Sequence, residues 1–223
     1  MGGFATIDRI ASDANTLMLD VYKNGDWQML IVELDNSLST PVATFAPTPW
    51  RFTPFALSGD TVFFGERFAH GGEGQVVVIE AANNYVPVEV RRPVGERNPG
   101  DSLGKSIHRA GPNEVLAGTN NRAFWISKSA GTWQVEDTGI PKQITWALVP
   151  NEWSGGGNNR DIVMNGALQN LVYHGPSQTL VGVLPPAARV FKAQTNGAIV
   201  MANDKNLNTI QVYHADIPTP PGC

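Results

Sequence analysis

The chain has 223 residues, 23 of them glycine, with only 16% charged residues and a formal net charge of −4. That balance excludes general nucleic-acid binding, which needs clustered Lys and Arg to displace counterions, and the longest apolar runs, such as Met29 to Val32, are too short to span a membrane. Cys223 is the single cysteine and the last residue, which leaves no internal disulfide or cysteine-based metal site.

Residues 1–11 carry Asp8 and Arg9 and lack an apolar stretch, so no secretory leader is expected. From there the chain reads as short β-type runs divided by Gly, Asn, Asp or Pro, with no sustained 3.6-residue apolar spacing. The first unit has a strand around Ala11, then Leu17 to Tyr22 and Trp27 to Leu34. The second has Ala56, Val62 to Gly65 and Gln75 to Ala81. The third has Ala110, Val115 to Gly118 and Ala123 to Lys128. The fourth has Ala147, Ile162 to Asn165 and Gln169 to His174, and the fifth Ala193, Ile199 to Ala202 and Thr209 to His214.

Two of these units match each other directly. Ile162-Val163-Met164 with Val172-Tyr173-His174 returns as Ile199-Val200-Met201 with Val212-Tyr213-His214, 37 and 40 residues later. Units one and two share Val32-Glu33 and Ile79-Glu80, each with an Asn three residues after the Glu. The alanines at 11, 56, 110, 147 and 193 are 45, 54, 37 and 46 residues apart, and small residues there suit strands crowded around a common axis. Prolines 47, 93, 141 and 185 mark the passage from unit to unit, since proline cannot donate to a ladder.

Four strands, a to d, repeated at roughly 45 residues is propeller spacing, and the chain resembles a five-bladed β-propeller. The blades would be 4–47, 50–93, 104–141, 143–186 and 189–217, followed by a proline-rich tail at 218–223. The WD-type signatures are missing. Ser127 to Trp133 is similar to the Asp-box of sialidase-type propellers but lacks its aspartate, and reads as a turn between strands c and d. The competing fold is an open two-sheet β-sandwich. The fifth unit has no good d strand, so the ring would close by borrowing an N-terminal strand, or the tail would dock on another subunit.

The resemblance implies that ligands meet the face formed by the b–c and d–a loops. Two of these are long, Glu66 to Gly74 and Pro93 to Gly104, and they supply Arg67, His70, Glu73, Glu96, Arg97 and Asp101 as candidate binding residues. On the opposite face, the a–b connection of unit four carries Trp153 and Arg160 as a candidate anchor for a partner. No catalytic residues, cofactor or metal are expected. Five-bladed glycoside hydrolases set a carboxylate pair about the axis, whereas the a strands here offer only Asp8, and no cleft is expected to hold such a pair. Arg9, Arg51, Arg109 and Arg189 lie in or near a strands and read as hydrogen-bonding to blade edges.

The expected function is a non-enzymatic structural or attachment module, a subunit of a bacteriophage head or tail appendage and thus located in the virion. Its partners would be protein subunits, including copies of itself, with no nucleic acid and no membrane insertion. A lectin-like propeller binding a surface glycan is the alternative, with a hydrolase behind it. Trp27, Trp50, Trp125, Trp133, Trp146 and Trp153 do not fall at equivalent positions, as one sugar site per blade would require.

Overall fold

The computed structural model describes residues 6–13, 15–34, 41–46, 48, 50, 53–66, 74–94, 103–111, 113–119, 122–141, 145–150, 162–166, 170–174, 179–184, 188–194, 197–204 and 209–215, with side-chain detail for most of these as far as Gly139. The first sheet is β1 (Thr6–Asp13), β2 (Thr16–Lys23), β3 (Asp26–Glu33) and β4 (Ala43–Phe45); the second is β5 (Phe55–Ser58), β6 (Thr61–Glu66), β7 (Gln75–Glu80) and β8 (Val88–Val90). The third holds β9 (Ser106–Gly111), β10 (Glu114–Gly118), β11 (Arg122–Ser129) and β12 (Thr132–Pro141). The fourth holds β13 (Thr145–Pro150), β14 (Ile162–Gly166), β15 (Asn170–His174) and β16 (Thr179–Leu184), and the last β17 (Ala188–Gln194), β18 (Gly197–Asp204) and β19 (Thr209–Ala215). Every sheet is an antiparallel meander in chain order. Every expected b and c strand coincides with an observed one.

Five separate sheets rule out the two-sheet sandwich. The first strands of successive sheets pack side by side, β1 on β5, β5 on β9, β9 on β13 and β13 on β17, so they are the inner strands of blades set around an axis. The meander then puts a–b and c–d turns on one face and b–c and d–a connections on the other.

Period-two alternation sorts the second blade's side chains onto two neighbours. Leu57, Val62, Phe64, Val77 and Ile79 join Met18, Met29, Ile31 and Trp50 in a cluster against the first blade. Ala56, Phe63, Val76, Val78 and Val90 join Leu103, Ile107, Val115, Ala117, Phe124 and Ile126 against the third. Both faces are covered, which is why Gln75-Val-Val-Val-Ile-Glu80 is buried throughout and reads as a nearly continuous apolar run. Trp50 stacks on Phe64 with ring centroids 5.1 Å apart, and each buried Phe contributes about 1.5–3 kcal/mol.

Two of the inner-strand alanines, Ala56 and Ala11, serve this packing between blades. Ala56 lies in the cluster between the second and third blades, and Ala11, only partly buried, packs against the one between the first and second. Ala110 is also half-buried, and the side chains of Ala147 and Ala193 lie outside the described set. Pro141 does stand at the passage from the third sheet to the fourth, but within the ladder rather than outside it. It ends β12, paired with Arg122 on the outer strand, where a missing N–H does no harm.

Polar ties fix the blades relative to one another. Arg9 of β1 pairs with the fully buried Asp20 of β2 and donates to the carbonyls of Thr53 (2.7 Å) and Trp50 (2.8 Å), with its guanidinium over Phe55. It therefore joins the first blade to the chain entering the second. Gly65 of β6 meets Gly104, which precedes β9, backbone to backbone; a Cβ on Gly65 would overlap the Gly104 carbonyl, and Gly104 has φ +89°.

Removing the guanidinium would leave the fully buried Asp20 without its cationic partner. Arg9→Ala is therefore expected to cost about 3–5 kcal/mol in denaturant unfolding. Gly65→Ala should destabilise through overlap of the backbones, by about 1–3 kcal/mol or more on the same measurement.

Candidate functional site: a cleft between the second and third blades

Where β7 ends at Glu80, the chain makes a 3-10 turn over Ala81–Asn83 and then passes through left-handed Asn84 (φ 51°) and Tyr85 (φ 59°) before the short edge strand β8. On the next blade, β11 and β12 are joined by Ala130 (φ 48°) and Gly131 (φ 81°), two positive angles in a row as a tight hairpin requires. This is the turn expected from Ser127 to Trp133. Between the two turns lies a cleft of about 590 Å³, within the range of ligand pockets. It is lined by Glu80, Ala82, Asn83, Val88, Glu89, Val90 and Arg91 on one blade, and by Lys128, Gly131, Thr132 and Trp133 on the other.

Its charges are paired. Lys128 Nζ donates to Glu80 Oε1 at 2.6 Å, across the blade boundary, and Arg91 donates to Glu89 at 2.7 Å. The hydrogen bond from Arg91, and then one from Gln75, hold the Glu89 carboxyl below the usual carboxylate range. Trp133 meets Phe63 edge to face at 5.2 Å, and the Lys128 ammonium lies 5.7 Å from its ring centroid. The indole Nε1 is shielded from solvent and has no acceptor among the described residues.

The cleft lining holds two carboxylates, Glu80 and Glu89. Glu89 is shifted opposite to the raised acid that glycoside hydrolysis needs, and Glu80 is tied to Lys128. The axis holds a second acid besides Asp8, because β1 extends to Asp13. Asp13 accepts from the Gly59 N–H at 2.5 Å and pairs with Arg109 at 3.2 Å, so it links three blades. Of the arginines read as edge ligands, Arg9 and Arg109 make such contacts; Arg51 and the side chain of Arg189 lie outside the described set.

Arg67, His70, Glu73, Glu96, Arg97, Asp101, Trp153 and Arg160 lie outside the described residues. The roots of their loops are described. Glu66 and Gly74 bracket one long connection and Val94 and Leu103 the other, and the Gly65–Gly104 contact brings the two roots together on one face. Pro150 and Ile162, the strand ends on either side of residues 151–161, lie at the opposite face, the face of the cleft.

Sequence reasoning passed over the cleft, although one signal pointed to it. The matched Glu33 and Glu80 close the c strands of consecutive blades, and each accepts a bond from the following blade. Tyr85 Oη donates to Glu33 at 2.6 Å as Lys128 does to Glu80. Burial first, and then the bond to Glu33, push the Tyr85 hydroxyl well above the ordinary phenol range.

Meander sheets with their first strands gathered around an axis define a β-propeller, and solved propellers match the chain over nearly its whole length. A complex of KlAtg21 with the coiled-coil of AgAtg16 matches with a TM-score of 0.58 and 10% identity, over 96% of this chain and 71% of that one. BBS1N in complex with ARL6DN matches at 0.53 and 14%, over 96% and 65%. The β-propeller domain of Myceliophteria thermophila Cps50 (Swd1) matches at 0.53 and 10%, over 94% and 68%. The likeness is one of fold, and the chain spans about two thirds of the length of these propellers. No family model and no curated protein matches the sequence.

A phenol whose folded-state pKa is raised contributes stability below its unfolded pKa of about 10 and loses it as pH rises through the folded value. The unaltered protein should therefore lose stability above about pH 10 through this group. Tyr85→Phe should be less stable near neutrality and show a shallower alkaline decline, read from unfolding curves at pH 8 to 11.

Proposed function

We propose that this propeller is a non-enzymatic subunit of a larger protein assembly, which holds partners in place and transforms no substrate. The observation that carries the proposal is the engagement of the acids at the axis and rim. Asp20 is paired with Arg9, Asp13 with Arg109, Glu80 with Lys128 and Glu89 with Arg91, while Glu33 accepts from Tyr85. A carboxylate held by a cation is poorly placed to shuttle protons. The propellers it matches include ones solved with protein partners, a coiled-coil in one case and ARL6DN in another, which supports partner binding as the role.

A bacteriophage head or tail appendage is the setting we propose, on the strength of the glycine-rich, weakly charged composition. Partner contacts are assigned to Trp153 and Arg160 on one face, to Arg67 and Arg97 with the rest of the two long loops on the other, and to the tail at 218–223. The five sheets are taken as the whole ring, with β17–β19 closing on the first blade. Ile10 and Ile7 of β1, 63% and 56% exposed on a face shared with Leu17, Leu19 and Leu30, are the apolar surface that such closure would cover.

Deleting Pro218 to Cys223, and separately changing Trp153 to Ala, should each reduce incorporation into the parent particle. Assembly at the unaltered level in both would move the contact surface elsewhere. A panel of glycosides should show no turnover, and turnover abolished by Glu80→Gln would replace the proposal with a hydrolase. If the ring closes on the first blade, Ile10→Asp will lower the thermal midpoint by several degrees, whereas a residue that stays in water would tolerate the change.

A further inference from the structure

We propose that the cleft between the second and third blades takes an extended peptide segment of a partner protein, laid along the outer edge of β8. This rests on the reading of the chain as a protein-binding propeller, and it supplies the docking point and the chemistry of what docks. The cleft lies on the face opposite the roots of the two long connections.

Three observations lead to a peptide. First, the ionic groups of the lining cancel: Glu80 with Lys128, Glu89 with Arg91. A phosphate or a polyanion would need an excess of cationic donors, and a cation an excess of carboxylates. A neutral ligand rich in both donors and acceptors fits, and each residue of a peptide backbone brings one of each. Second, β8 is the last strand of its sheet and lines the cleft from Val88 to Arg91, so it offers an added strand an edge that no described strand of the sheet pairs. The strand has three residues, so the ladder is short and the lining side chains must contribute the rest. Third, Ala82, Val88, Val90 and Trp133 give the cleft apolar surface for side chains.

A sugar is the other neutral ligand with this hydrogen-bonding character. It would stack on an open aromatic face, whereas Trp133 carries the Lys128 ammonium over its ring and meets Phe63 edge to face. The aromatic platform is occupied, and the peptide is favoured.

The test uses the full chain and a displayed library of random seven-residue peptides, with the selected peptides resynthesised and their Kd measured by fluorescence anisotropy. Thr132 and Ala82 are exposed and line opposite walls, so Thr132→Trp and Ala82→Trp fill the cleft from either side without entering the core. A thermal scan confirms that each is folded. Arg122→Ala, at an exposed ion pair with Asp137 on another part of the third blade, is the control. We expect selected peptides to bind at least tenfold more weakly to both Trp variants, to bind the control unchanged, and to slow amide exchange at 88–91. Peptides that bind the Trp variants undiminished would overturn the proposal. So would a library yielding no peptide, or a glycan array yielding ligands that the Trp variants lose. Cleft-dependent binding without slowed exchange would overturn the placement along β8. If Thr132→Trp loses the peptide yet still enters the parent particle normally, the cleft is not the docking point and this proposal fails while the subunit reading stands.

Discussion

The second blade is covered by apolar neighbours on both faces, and the rest of the structure depends on that double burial. Phe63 and Phe64 are adjacent in sequence, fully buried, and committed to opposite interfaces. A strand buried this way cannot slip by one residue without exchanging its two sets of side chains between unlike clusters, so its register is strongly specified. The position of the cleft follows from it. Val90 anchors β8 in the cluster shared with the third blade, and Trp133 packs against the same cluster from the far side, so both walls stand on one core.

The polar contacts act on top of this core. Arg9, Tyr85 and Lys128 each reach from one blade to a neighbouring one, and each finds a carboxylate or a backbone carbonyl. Lys128 is half-buried beside a mostly buried Glu80, so this pair is less screened by salt than the exposed Arg91–Glu89 or Arg122–Asp137 pairs. The same pairing that orders the blades engages these carboxylates with cations.

Strand order was legible because alternation and turn residues are local. Asn24 and Gly25, both at positive φ between β2 and β3, mark their hairpin in the sequence as plainly as in the fold. The repeat of Ile-Val-Met and Val-Tyr-His predicted β14 with β15 and β18 with β19 for the same reason. The site was less legible because its contacts are non-local. Glu80 and Lys128 are 48 residues apart, and nothing near Lys128 states that its partner closes the previous blade's third strand. The matched Glu33 and Glu80 were visible as a repeat, but a repeat shows that a position recurs without showing what meets it. The alanine register was legible in part: it identified the inner strands, and Ala56 and Ala11 pack blade on blade.

The contact between Gly65 and Gly104 bears on how such a chain could change over time. Two long connections leave from this one rigid point, and their ends are held by backbone packing whatever lies between them. Doubling the length of a connection whose ends are fixed costs only about 0.6 kcal/mol of closure entropy. Insertions between Glu66 and Gly74, or between Val94 and Leu103, are thus nearly neutral to the scaffold, while either glycine is closed to substitution. The pair makes this edge of the propeller a mounting point, at which new recognition surfaces can be exchanged without re-evolving the blades beneath.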